Sequence, residues 1–63
     1  MSYEIEKVSV IAATSKALLC DIDGEEVWIP KSQIIEDESE VWDEDDEGTL
    51  VITEWIAKEK GLV

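Results

Sequence analysis

Hydrophobic and polar residues alternate along the first half of the chain and lose that order after about residue 35. From Tyr3 to Ala13 the alternation changes phase, with Tyr3 and Ile5 on odd positions and Val8 and Val10 on even ones. A strand with a slip or bulge near Glu6 and Lys7 accommodates both halves. Thr14 and Ser15 supply the short polar side chains of a turn within Ala12 to Lys16. Lys16 to Ile22 is short, apolar and dense, the pattern of a central strand buried on both faces. Asp23-Gly24, between two apolar runs, predicts a tight hairpin. Beyond it Val27 and Ile29 point one way and Trp28 the other, and Pro30 closes the strand because it has no amide proton for a ladder.

Lys31 to Ile35 is too short for a packed helix and follows a proline, so a single helical turn joining strands is expected. An acidic stretch follows, in which Val41 and Trp42 are the apolar residues, and then Thr49 to Thr53 reads as a last strand. Thr53 is placed to cap a helix that starts at Glu54; Lys58 and Lys60 lie toward its negative end, Gly61 supplies a left-handed terminus, and Leu62 falls where such a cap packs back toward Ala57. A helix of that length must dock, through Ile56 with Trp55 or Ala57. These elements predict a mainly β (α+β) fold: a small, strongly bent antiparallel sheet or partly open SH3-like or OB-like barrel with a short C-terminal helix. Residues 1–63 form one small domain, and 36–48 an acidic loop whose mobility composition leaves open.

At 63 residues the chain buries only about 60% of its unfolded surface. One cysteine allows no disulfide, and Cys20, inside an apolar run, is expected as a buried apolar residue. Histidine is absent, which removes the commonest general base and zinc ligand. No nucleophile motif or phosphate-cradling loop replaces it, so neither catalysis nor a cofactor is expected. The N-terminal residues lack the basic start and apolar core of a signal peptide, and no apolar run approaches the roughly 18 residues of a membrane span. The expected location is the cytoplasm, with no membrane partner. Seventeen acids against five lysines give a net charge of −12, and nine of those acids fall within Glu36–Glu47, which holds no base. Such a surface repels nucleic acid and attracts basic proteins. In a chain without phenylalanine, two of the three tryptophans are expected to build the core, leaving Trp42, flanked by acids, as the exposed anchor.

"KALLCDIDGEEVWIPKSQI" and "EWIAKEKGL" resemble a group of small uncharacterised proteins of bacteria, phages and prophages. In that group a K-A-x-L strand, a D-G turn, a W-[IF]-P-K-S-Q-I segment and a terminal E-W-[IL]-A-x-x-K-G-L helix recur around a variable acidic middle. The resemblance covers nearly half of the chain and implies a compact β-rich fold of mobile-element type, without supplying an activity. It also draws attention to Lys31, Ser32 and Gln33. These either tie down the turn after Pro30 or join Trp28 in an aromatic and polar binding edge.

The segment "DEDDEGTLVITE" matches a calcium loop position by position. With Asp43 first, Asp45, Glu47, the Thr49 carbonyl and Glu54 occupy ligand places 3, 5, 7 and 12, and Gly48 the glycine place. Against it stand the lack of an amphipathic helix before Asp43, the extra charge of Glu44 and Asp46, and the absence of a second loop. An acidic turn is the expected reading.

Three function classes follow. The first is a non-enzymatic interaction module whose acids Glu36, Asp37, Glu38, Glu40, Asp43, Glu44, Asp45, Asp46 and Glu47, with Trp42, dock on a basic surface of a host or phage protein, in its sharpest form as a nucleic-acid mimic or inhibitor. The second is a small nucleic-acid-binding barrel using Trp28 to Gln33, which the charge disfavours. The third is a divalent-cation-binding loop at Asp43 to Glu54. An exposed sheet edge also leaves a homodimer open.

Overall fold

A computed structural model describes residues 2–63. Ser2–Ala13 (β1), Ala17–Ile22 (β2), Glu25–Pro30 (β3) and Glu47–Thr53 (β4) form one unclosed antiparallel sheet in the order β3-β2-β1-β4, and Glu54–Glu59 (α1) follows β4. The first half of β1 pairs with β4 and the second half with β2; Ser9 pairs with both Glu47 and Asp21. One long strand therefore joins two laddered halves.

Both irregularities in β1 are local. The register slips between Ile5 and Val8, where Lys7 takes a left-handed φ of 61°, and again between Val10 and Ala12. The first slip moves the apolar positions from odd to even, so that Tyr3, Ile5, Val8 and Val10 all pack on the same side. At the hairpin, Asp23 and Gly24 have φ of 54° and 86°, the two positive values of a type I′ turn, and the Asp21 carboxylate accepts the Gly24 amide at 2.9 Å.

β2 is central but is not buried on both faces. Leu18, Cys20 and Ile22 are buried while Ala17, Leu19 and Asp21 are only partly so, because no second layer covers that side. The buried face meets Ile29, Leu50, Ile52 and Val8, and α1 closes it with Ile56 and Ala57. As expected, Cys20 is buried; burial raises its thiol from 9.0 to about 11.

α1 is capped as its sequence prescribes. The Thr53 hydroxyl accepts the Ile56 amide at 3.3 Å, Gly61 has φ 71°, and the Leu62 amide donates to the Ala57 carbonyl at 2.8 Å. Tyr3 donates its hydroxyl to the Leu62 carbonyl at 3.0 Å, tying the two ends of the chain together.

The tryptophans overturn the expectation for the core. Trp28 and Trp55 are 45% and 60% exposed, and Trp42, expected as the exposed anchor, is half-buried against the core. Parity explains the first, since its strand neighbours Val27 and Ile29 take the inner side. Helix phase explains the second: Ile56 and Ala57 take the docked face of α1. The core is aliphatic. Among the described residues no helix is long and apolar enough to cross a membrane.

Candidate interaction surface

The acidic stretch runs beside the outer edge of β4 and satisfies it. Ile34 bridges Ile52, and the Ile35 amide donates to the Val51 carbonyl at 2.8 Å. The Ser39 hydroxyl then accepts the Val51 amide at 2.8 Å and donates to the Val51 carbonyl at 3.0 Å. One step along, the Glu40 amide donates to the Thr49 carbonyl and the Glu40 carboxylate accepts the Thr49 amide, both at 2.8 Å. Two side chains thus stand in for the carbonyls of a fifth strand, so that every outward-facing backbone group of Val51 and Thr49 has a partner. Gly48, just before Thr49, has φ 151°; a Cβ there would sit 2.7 Å from the Glu40 carboxylate. Only glycine admits Glu40 this closely.

Val41 then drops into the core with no exposed surface. Past it the chain turns back through Asp46, whose carboxylate accepts the amides of Asp43 at 2.8 Å and Trp42 at 2.9 Å. Those two bonds hold the Asp46 carboxyl below its ordinary value, since they favour its charged form. The backbone of Asp45 and Asp46 pairs with Val10, through Asp45 N–H to Val10 C=O at 2.9 Å and Val10 N–H to Asp46 C=O at 2.8 Å. The acidic stretch is therefore anchored to β4 at one end, to the core at Val41 and to β1 at the other end.

Of its nine acids, Glu40 and Asp46 are engaged with backbone amides, whereas Glu36, Asp37, Glu38, Asp43, Glu44, Asp45 and Glu47 are exposed. Among the described residues the only ion pair is Lys58 to Glu54 at 3.2 Å, so none of the nine has a cationic partner.

The calcium positions do not converge. Glu47–Thr53 is a strand, which at about 3.3 Å per residue carries Glu54 about 20 Å from Glu47. Glu54 opens α1 and pairs with Lys58 instead, and among the described residues no three acidic side chains gather as a metal site.

The Lys31–Gln33 segment is a single 3₁₀ turn that joins three elements. Lys31 donates its amide to the Lys16 carbonyl at 2.7 Å and holds its ammonium 5.1 Å from the centre of the Trp42 ring. The Gln33 side-chain carbonyl accepts the Thr53 hydroxyl at 2.6 Å, the same hydroxyl that caps α1. Ser32 is exposed. The side chains of Lys31 and Gln33 thus contact Trp42 and Thr53. The sequence reading had missed Ser39, Glu40 and Asp46 as backbone partners; the one available signal was Val41, an isolated aliphatic in an acidic run.

No protein-family model, curated protein or solved structure matches the chain.

Proposed function

We propose that the protein is a non-enzymatic interaction module of mobile-element type that docks an acidic surface on a basic surface of a host protein, in the manner of a nucleic-acid mimic or inhibitor. One observation carries this reading: the acids between Glu36 and Glu47 sit on a backbone fixed by hydrogen bonds, and among the described residues none of them has a cationic partner. A solubilising charge needs no such anchorage. A backbone already held in place loses little conformational freedom on binding, which is how a pre-ordered acidic surface gains affinity.

The test follows from the division of labour among the acids. Glu36, Asp37, Glu38, Asp43, Glu44 and Asp45 are replaced by their amides, while Glu40 and Asp46 are kept because they hold backbone amides. Tagged native and neutralised proteins are used as bait in host lysate at low and high salt, and captured proteins are identified by mass spectrometry. A basic protein held by the native bait alone, and released by salt, is the expected result. Equal capture by both baits would overturn the reading.

A further inference from the structure

The sheet has a second surface, to which the acidic stretch contributes only its last residue, Glu47. Residues paired directly across antiparallel strands project on the same face. Ala12 pairs with Leu19 and Leu19 with Trp28, which makes an apolar row across β1, β2 and β3. One step toward the Asp23-Gly24 turn, Glu47, Ser9, Asp21 and Glu26 form a second row across all four strands, with three carboxylates. None of these residues belongs to the core, which lies on the opposite face beneath α1. Trp28 is 45% exposed, and Ile11, set out by the second bulge, is 42% exposed. An apolar row bordered by a charged one is a mark of an interaction site rather than of a solvated face.

We propose that this uncovered face binds a lysine- or arginine-rich amphipathic helix of a partner protein, its apolar stripe on Ala12, Leu19 and Trp28 and its cations on Glu47, Asp21 and Glu26. The occupant follows from spacing and charge. Neighbouring strands are about 4.8 Å apart, and the two rows are about 7 Å apart along the strands. A helix crossing the strands presents side chains every 5–6 Å along one stripe at i, i+3 and i+4, and carries a second stripe beside it. Its cations complement the charged row, in which all three charged groups are acidic. A second copy of this chain brings the same carboxylates against themselves. The proposal rests on the basic-partner reading above and adds to it where the partner sits.

The probe is a fluorescently labelled amphipathic helix of leucine and lysine, compared with a scrambled peptide of the same composition whose apolar stripe is broken. Backbone amide NMR of the ¹⁵N-labelled protein locates the contact, and fluorescence anisotropy gives the affinity. Binding of the ordered peptide is expected to shift the amides of Ala12, Leu19, Asp21, Glu26 and Trp28. Trp28→Ala should weaken it by about tenfold or more. Trp55→Ala, at the other exposed tryptophan, should leave it unchanged, and Asp21→Asn with Glu26→Gln should flatten its salt dependence. Shifts confined to residues 36–45, or equal binding of the scrambled peptide, overturn this inference and leave the acidic-module reading standing. Failure of both peptides to bind at low salt overturns both.

Discussion

The two outer edges of the sheet are handled in opposite ways. On β4 the chain itself closes the edge, using a serine hydroxyl and a glutamate carboxylate where a fifth strand would offer carbonyls. On β3 no further strand of the described residues pairs with the outer edge, which carries Glu25, Glu26 and the terminal Pro30, residue types that disfavour strand addition. The acids thus differ in what they touch: two of those in the acidic stretch accept backbone amides, while Glu25 and Glu26 on β3 lie exposed on an open edge. Charge counts alone do not separate the two.

The largest expected effect comes from breaking the closed edge at its most buried bond. Val51 is 1% exposed, and Ser39 serves both its amide and its carbonyl. Ser39→Ala leaves the Val51 amide without a partner, while the carbonyl keeps the Ile35 amide, at a cost of about 2–3 kcal/mol in urea unfolding. That is a large share of the roughly 3–9 kcal/mol expected for a domain of 63 residues. A loss below about 0.5 kcal/mol would mean that water or a shifted backbone replaces the hydroxyl and that the edge is closed only in part.

Cys20 lies on β2, between the two edges, and reports on both. Its thiol keeps its proton in the fold up to about pH 11, while the unfolded chain releases it near 9.0. The stabilisation is complete below pH 9 and is lost as pH rises toward 11, by about 2–3 kcal/mol relative to a Cys20→Ala variant measured in parallel. Being fully buried, the thiol should react with an alkylating reagent only through opening of the fold. Ser39→Ala should speed that reaction, whereas Trp28→Ser on the open edge should not. Equal acceleration by both would show that β3 is coupled to the core as tightly as β4.

A smaller effect tests the close approach of Glu40. Gly48→Ala sets a methyl group 2.7 Å from the Glu40 carboxylate at a φ of 151°, and is expected to cost about 1–3 kcal/mol. Part of that is the clash, so Gly48→Ala should cost less in a Glu40→Ala background. The non-additivity, about 0.5–1 kcal/mol in a double-mutant cycle, measures the contact. Strict additivity would assign the whole cost to backbone strain.

Much of the fold was legible because its signals are local. The phase change at Glu6 and Lys7, the Asp23-Gly24 turn, the single turn after Pro30 and the Thr53 and Gly61 caps each rest on a few adjacent residues, and each is where the sequence places it. The closed edge was not legible. Its bonds run from Ser39 and Glu40 to residues nine to twelve positions away, and residues 36–48 carry neither of the periodicities by which strands and helices are read. The calcium pattern, already set aside in favour of an acidic turn, fails for a related reason: it counts positions along a loop, where from Glu47 onward the chain is a strand. The tryptophans show that size is a weaker guide than parity. Alternation placed Trp28 outward correctly, and only the expectation that large apolar groups fill a small core placed tryptophans inside.

The smallest expected change in stability is the one that sharpens the comparison of edges most. Trp28→Ser removes a large apolar side chain that lies outside the core, so urea unfolding should shift by no more than about 0.5 kcal/mol. An open edge that only terminates the sheet would then show no further phenotype. A surface that receives a partner loses affinity for a basic amphipathic helix while its stability is unchanged, and this separation of binding from folding is what Ser39→Ala at the other edge cannot give. If Trp28→Ser instead destabilised the fold by 2 kcal/mol or more, the tryptophan would be covering Leu19 and Ala12 as part of the fold's own packing. Both edges would then belong to the scaffold, and the docking surface would have to be sought among the acids that flank Val41.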